Sequence, residues 1–349
     1  VLTLPLPAGG ELVKIGINGF GRIGRLVFRA LWERSGVQVV HLNEPAGQVA
    51  AMGHLLQFDS IHGPWHEAVS PGVNALHIGN QQFSCSHRRD FTAVDWRAAG
   101  VELVLECSGR FKTVGALKPY FETCGLERVI VACPVKGEGA LNVVYGVNDQ
   151  QMDLARHRLL TAASCTTNCL APMVKVIHET FGIVHGSMTT IHNLTNTQTP
   201  VDGYGGDLRR SRAAGESLIP TTTGSAKAIA MIFPQLEGKL NGHAVRVPLL
   251  NASLTDGVFE LARPSSPEAV NEAFRKAADG PLQGILGYEE RPLVSVDYRH
   301  DSRSCIIDGP STLVVDGTHL KVYGWYDNEW GYACRMADLT CAVSRRIGS

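Results

Sequence analysis

Apolar residues recur along the chain in two periods, and the change from one to the other marks out its elements. Val13-Lys14-Ile15-Gly16-Ile17-Asn18 is an apolar run of strand length, after which Ile23, Leu26, Val27, Ala30 and Leu31 repeat at helical spacing. Val37-Gln38-Val39-Val40-His41-Leu42 is a second strand. From Ala46 to Trp96 no period is sustained, and short strands and loops are expected. Val101 to Glu106 and Arg128 to Ala132 read as buried strands on either side of a helix-like stretch, Val114 to Cys124. Asn142 to Val147 reads as another strand. Strands alternating with helices predict a parallel sheet that binds its ligand at the carboxyl ends of the strands.

Leu159 to Ala163 then leads, like the end of a buried strand, into Ser164-Cys165-Thr166-Thr167-Asn168-Cys169. Leu170, Met173, Val174 and Ile177 follow at helical spacing, and Pro172, compatible only with a first turn, puts the helix start near Cys165 to Thr167. Beyond this point strand-like segments dominate: Met188 to His192, His243 to Val247, Val258 to Leu261, Leu293 to Tyr298, Cys305 to Asp308 and Leu320 to Trp325. One clear helix, Pro267 to Ala278, lies among them, with Ser266 as N-cap and Gly280 past its end. The pattern predicts a second, α+β domain with a mixed or antiparallel sheet. Asn193 to Arg212 would be a long ordered loop, and Tyr332, Ala333, Met336, Leu339, Thr340 and Val343 share one face of a final helix.

Composition narrows the partners. The 349 residues carry a net charge of −1 with Lys and Arg scattered, so there is no electrostatic footprint for nucleic acid or an anionic membrane. No apolar segment is long enough to span a bilayer. Nine cysteines, an odd number without a disulfide-scaffold pattern, point to a reducing compartment, and the cytoplasm is the expected location. Cys165 and Cys169 lack the spacing and companions of a zinc pair, so no metal is expected. Residues 1–11, apolar but broken by prolines and without a basic flank, read as a leader or tag-like segment and not as a secretory signal.

Two constellations carry chemistry. The first strand runs into Gly19-Phe20-Gly21-Arg22-Ile23-Gly24, a Gly-x-Gly-x-x-Gly turn, and Glu44 stands at the end of the second strand, 20 residues after Gly24. The glycines allow close approach to a pyrophosphate, the helix end faces that anion, and the acid accepts ribose hydroxyls. An acid here repels a 2′-phosphate and favours NAD, although Arg88 or Arg89 nearby leaves NADP open. Ser108, Gly109, Ala132 and Cys133 would lie at the same sheet edge. In the second constellation, Cys165 sits where helix N–H groups lower a thiol's pKa, and His192 ends a strand downstream. Together they suggest a thiolate nucleophile with an imidazole partner.

Ile17-Asn18-Gly19-Phe20-Gly21-Arg22-Ile23-Gly24-Arg25, Ala163-Ser164-Cys165-Thr166-Thr167-Asn168-Cys169 and Trp325-Tyr326-Asp327-Asn328-Glu329-Trp330-Gly331-Tyr332 resemble the glyceraldehyde-3-phosphate dehydrogenase family from about Leu12 to the C-terminus. The resemblance implies a homotetramer of subunits with a Rossmann NAD domain at residues 12–163, a catalytic domain at 164–328, and a helix at 329–349 returning to the first. It implies Cys165 as nucleophile and His192 as its partner. Thr195 and Arg246 would hold the substrate phosphate, and Ser164, Thr166, Thr223 and Gly224 inorganic phosphate. Gly19, Gly21, Arg22, Ile23, Gly24, Glu44, Ser108 and Asn328 would contact the cofactor, Asn328 at the nicotinamide carboxamide.

Glu44 replaces the family's usual aspartate, and Gly203-Tyr204 stands where NAD-specific members usually carry Leu-Pro. Asn43-Glu44-Pro45-Ala46-Gly47, His54 to Ser60, Cys133-Pro134-Val135-Lys136 and His192 to Gln198 look closest to one branch, dehydrogenases encoded beside arsenic-resistance permeases. That branch uses arsenate in place of phosphate and forms 1-arseno-3-phosphoglycerate for export by the permease. The competing expectations are an erythrose-4-phosphate dehydrogenase, a non-catalytic nucleotide-binding or regulatory protein, and a thiol redox module built on Cys165 and Cys169.

Overall fold

The computed structural model describes residues 12–347, which fall into two compact units. One takes the described residues up to Tyr145, Asp149–Ala163 and the segment from Ala333 on; the other takes Gly146–Asn148 and Ser164–Tyr332. The expected leader lies outside the described residues.

The first unit is built on nine strands: β1 (Val13–Asn18), β2 (Val37–Asn43), β3 (Val69–Pro71), β4 (Ala75–Ile78), β5 (Gln81–Ser86), β6 (Leu103–Glu106), β7 (Arg128–Val131), β8 (Ala140–Asn142) and β9 (Leu159–Thr161). They form one sheet in the order β3-β4-β5-β2-β1-β6-β7-β9-β8. All neighbours pair parallel except along the β3-β4-β5 edge. The strand order reverses between β1 and β6, and an open sheet of this kind has its ligand crevice at that switch point.

Helices α1 (Arg22–Trp32), α2 (Val49–Gln57), α3 (Val114–Leu117) and α4 (Pro119–Glu122) belong to this unit. α1 buries Leu26, Val27, Phe28 and Leu31, and Phe28 meets Phe20, Trp65 and Phe83 edge to face at 5.8, 5.9 and 5.1 Å.

Three elements here depart from the sequence pattern. α2 lies where only strands and loops were expected; seven of its nine residues are apolar or glycine, so no polar face marks its period. The helix-like stretch from Val114 is two single turns that meet at Lys118-Pro119. β8 occupies Ala140–Asn142 in place of 142–147. Val143 and Val144 are buried but lie outside the sheet, and Gly146 at φ +83° turns the chain. A buried apolar coil imitates a strand in sequence.

The second unit carries β10 (Ile183–His192), β11 (Ile219–Thr222), β12 (Leu240–Arg246), β13 (Ser253–Leu261), β14 (Leu286–Glu289), β15 (Cys305–Asp308), β16 (Leu313–Val315) and β17 (His319–Tyr326). Their order is β11-β12-β10-β13-β17-β15-β14, with β16 on β17. β10–β12 and β14–β15 pair parallel and the other neighbours antiparallel. β13 alternates buried and half-buried residues along its length, as a strand with one covered face must.

Helices α5 (Cys165–Phe181), α6 (Ser225–Ile232) and α7 (Pro267–Asp279) cover the sheet, and α8 (Trp330–Ile347) starts in this unit. α6 was not expected, and Ser295–Tyr298 forms a 3-10 turn where a strand was expected, closed by the Asp297 carboxylate on the Val294 N–H at 2.9 Å. Pro172 lies inside α5, in its third turn and not its first. The start at Cys165 comes instead from Ser164, whose Oγ caps the Thr167 N–H at 3.1 Å. The hydrogen bond lost at Pro172 is offset by near-complete burial of Leu170, Ala171, Met173 and Val174.

From Ala333 on, α8 belongs to the first unit, where Ser344 donates to the Gly36 carbonyl at 2.7 Å and Asp338 pairs with Arg34 at 2.8 Å. Among the described residues no helix is long and apolar enough to cross a membrane, and no group of three or more His, Cys, Asp or Glu side chains is placed to hold a metal ion. All nine cysteines are free thiols.

Candidate active site

The first unit presents its glycines where β1 ends. Gly19 has φ +89°, and a Cβ there would lie 2.5 Å from the Ser108 backbone, so the β1 and β6 ends approach this closely only over glycine. A Cβ on Gly24 would lie 2.1 Å from the Gly19 carbonyl, which ties α1 to the turn. Gly21 differs: a Cβ there would meet nothing within 4 Å, and this open space adjoins the first N–H groups of α1.

Glu44 reaches back to this turn and accepts from the Phe20 and Ala46 N–H groups at 2.7 and 2.8 Å. A carboxylate has about four acceptor positions, so two remain for a diol. A dinucleotide fits these donors and this space. Arg22, at the first position of α1, turns its guanidinium onto Asp59 at 3.0 and 3.2 Å; against burial, the His62 N–H, Arg22 and the Ile61 N–H together hold that carboxyl well below its usual range. Ile23 follows Arg22 in the same turn, half-buried. Beneath the crevice, buried Glu106 accepts from Asn18, Tyr120 and the Ser108 N–H at 2.6 to 2.8 Å, and burial pushes its carboxyl up.

In the second unit the nucleophile candidate is the first residue of α5. Cys165 Sγ lies 3.6 Å from His192 Nε2. His192 ends β10, and its register partner in the parallel strand β12 is Arg246. Partners in a parallel pair point to the same face, so the imidazole and guanidinium are side by side. The Arg246 guanidinium contacts His192 Nδ1 and donates to the Asn193 carbonyl at 3.2 Å, while Nδ1 lies 2.9 Å from that carbonyl.

These neighbours set the charges. Burial and the adjacent Arg246 cation push the His192 imidazole down to about 3. Burial raises the Cys165 thiol; Arg246 and the hydrogen bonds of Thr166 pull the other way without overcoming it. Burial thus disfavours the charged form of each group taken by itself. The expected lowering of the thiol by the helix end is outweighed by desolvation.

The hydroxyls at the helix starts divide into two groups. Ser164 Oγ lies 3.3 Å from Ser225 Oγ, and Thr223 Oγ1 donates to the same Ser225 oxygen at 3.1 Å, so the starts of α5 and α6 meet. A Cβ on Gly224, the N-cap of α6, would meet nothing within 4 Å. Thr166 turns its buried hydroxyl to Tyr326 OH at 3.0 Å, which is 2.7 Å from Thr190, and the same side chain also acts on the Cys165 thiol. Thr195 closes a turn on Thr197 and Gln198. Asn328 Oδ1 accepts from Ser253 Oγ at 2.9 Å, and Ser253 in turn accepts from the Asn193 N–H at 3.2 Å.

Residues 164–328 match the model of the glyceraldehyde 3-phosphate dehydrogenase C-terminal domain, and residues 13–114 match that of the family's NAD binding domain. The chain is 58% identical to glyceraldehyde-3-phosphate dehydrogenase 3 of Nostoc sp. over 95% of its own length and 98% of the relative's. It is 46% identical to glyceraldehyde-3-phosphate dehydrogenase 1 of Bacillus cereus and to the Geobacillus stearothermophilus glyceraldehyde-3-phosphate dehydrogenase, in each case over 96% of the chain and 99% of the relative. The chain belongs to the glyceraldehyde 3-phosphate dehydrogenase family.

The match to the family's NAD binding domain covers β1 to β6 of the first unit, and the match to its C-terminal domain lies in the unit that holds the thiol and imidazole. Two residues given no role from the sequence stand near this pair. Arg210 donates to Thr221 Oγ1 at 3.3 Å and adds, after burial, to the lowering of Arg246. Arg210 is also paired with Asp207, Nε to Oδ2 at 3.4 Å. Tyr326 stands edge-on to His192 with ring centroids 6.1 Å apart. Arg210 is one of several arginines in a loop, and nothing in its local sequence distinguishes it.

Proposed function

We propose that the protein oxidises glyceraldehyde 3-phosphate with NAD through a thioester on Cys165, and that phosphate or arsenate releases the acyl group. The observation that carries this is the 3.6 Å contact between Cys165 Sγ and His192 Nε2 at the start of α5. Family membership and the NAD-binding domain support it.

An aldehyde is a poor hydride donor until a nucleophile adds to its carbon. The Cys165 sulfur bonds to that carbon as His192 Nε2 takes the thiol proton, and the carbonyl becomes a tetrahedral alkoxide. His192, once protonated, and the Cys165 backbone N–H would stabilise this oxygen. NAD, when bound by the glycine turn, Glu44 and the α1 end, supplies the two-electron oxidant.

In the second half-reaction a tetrahedral oxyanion attacks the acyl carbon, its oxygen bonds to that carbon, and the sulfur leaves as thiolate. Arg246 and Arg210 supply cationic forks, and Ser164, Thr223 and the open space at Gly224 line a place for the anion. Arg246 and Thr195 are assigned to the substrate phosphate.

Arsenate matches phosphate in charge and shape, and the resemblance to the arsenic-resistance branch supports arsenate as acceptor, with 1-arseno-3-phosphoglycerate as product and an efflux permease as functional partner. Exposed Val201, Tyr204, Leu208, Leu218 and Leu250 support a subunit contact, consistent with a homotetramer. Steady-state kinetics with phosphate against arsenate, and NAD against NADP, tests the assignment. Turnover of erythrose 4-phosphate above that of glyceraldehyde 3-phosphate would overturn the choice of substrate. Absence of NADH formation with every acceptor would leave a nucleotide-binding protein.

A further inference from the structure

Ser225 is the hydroxyl that joins the two helix starts, and neither the sequence motifs nor the family resemblance gives it a role. It is the first residue of α6, 4% exposed, and sits 61 positions from Ser164 in the chain. Its Oγ lies 3.3 Å from Ser164 Oγ and accepts from Thr223 Oγ1 at 3.1 Å, while its own N–H donates to Thr223 Oγ1 at 3.2 Å. Ser164 Oγ is meanwhile fixed by the Thr167 N–H at 3.1 Å and lies 2.7 Å from Thr167 Oγ1.

A hydroxyl has one proton and two lone pairs. With its oxygen accepting from Thr223, Ser225 can give that proton to Ser164, whose own O–H is then free to turn toward an anion. Without the Ser225 oxygen the two hydroxyls have no common partner, and the starts of α5 and α6 lose this side-chain link.

We propose that Ser225 is a positioning residue of the acceptor site, setting the affinity for the tetrahedral anion that attacks the thioester by holding Ser164 and Thr223 in register. This rests on the assignment of the thioester to Cys165 and of Ser164 and Thr223 to the attacking anion. It predicts an effect confined to the second half-reaction. Carbon–sulfur bond formation and aldehyde oxidation, which precede the anion's arrival, do not use the bridge.

The test compares wild type, Ser225→Ala and Ser225→Thr in two assays. Steady-state kinetics with inorganic phosphate as the probe should show the KM for phosphate raised about three- to tenfold in Ser225→Ala, the loss expected for one neutral hydrogen bond. The KM values for aldehyde and NAD should stay within about twofold of wild type, since no direct contact is removed. Rapid mixing without phosphate should give the same NADH burst, in rate and amplitude, in Ser225→Ala as in wild type. Ser225→Thr, which restores the oxygen, should return the phosphate KM toward the wild-type value.

An unchanged phosphate KM in Ser225→Ala overturns the proposal, as does a burst slowed by the same factor as turnover. Failure of Ser225→Thr to recover any phosphate affinity while keeping the burst also counts against the hydroxyl. A wild-type enzyme with no burst at all, but with steady turnover, would instead overturn the Cys165 thioester on which the proposal stands.

Discussion

The glycine turn offers a prediction in which fold and function separate. Gly21→Ala adds one methyl group at a position where nothing lies within 4 Å, in a backbone conformation (φ −70°, ψ −161°) that alanine adopts freely. Gly21 is the N-cap of α1 and makes no side-chain capping bond, so alanine there costs a few tenths to about 1 kcal/mol of helix start. The smaller conformational freedom of alanine in the unfolded chain returns about 0.4–1 kcal/mol. The two terms nearly cancel, and the thermal midpoint should move by no more than a few degrees.

Cofactor binding has no such compensation. The added methyl occupies the space in which the turn would meet a pyrophosphate, so at least one charge-assisted hydrogen bond is lost, about 1.5–3 kcal/mol, or about 10- to 150-fold in Kd. Quenching of protein fluorescence by NAD reads that constant directly. Gly24→Ala is the contrasting control, because its methyl would lie 2.1 Å from the Gly19 carbonyl and the turn must break to admit it. That variant should lose stability as well as binding. If Gly21→Ala binds NAD like the wild type, the pyrophosphate does not lie over this turn, and the placement of the cofactor is wrong.

Cys165→Ser should abolish aldehyde oxidation while leaving the NAD dissociation constant within about threefold, measured by the same quenching assay. Arg246→Ala should raise the KM for the phosphorylated aldehyde by about 10-fold or more and leave that for NAD nearly unchanged. It should also raise the His192 pKa from about 3, because a neighbouring positive charge that disfavours protonation is gone; imidazole titration by NMR would show the shift. Stability should fall in acid. His192 and His41 are held neutral by burial, at about 3 and about 4, against 6.5 in the unfolded chain. Below pH 6.5 the unfolded state takes up protons that the folded state refuses, a loss of about 2 kcal/mol per histidine at pH 5. His192→Gln should flatten the drop in thermal midpoint between pH 7 and pH 5; an unaltered slope would show that His192 is not buried neutral.

What the chain displayed in advance was local. β1, α1 and β2 follow from spacing within thirty residues, and Ser164 to Thr167 carry their own cap. Where apolar content was not matched by a period, the pattern misled: α2 lacks a polar face, Val143 and Val144 are buried coil, and Pro172 is carried by tertiary burial. The site divides the same way. Cys165 and His192 announce themselves by residue type and position, whereas Arg210, Ser225 and Tyr326 acquire meaning only from partners far away in the chain, such as Thr166 to Tyr326 across 160 positions. At the thiol, a helix end is visible in a sequence and the burial that opposes it is not.

The parallel pairing of β10 with β12 puts His192 and Arg246 at matching ends of neighbouring strands. Side chains alternate between faces, so deleting or inserting a single residue within Leu240–Arg246 would send the guanidinium through the sheet to its far side. Strand length here is thus a quantity that mutation can change only in steps of two. Tolerated length variation, and with it any drift in which aldehydes are admitted, is channelled into the segments that follow the two strands.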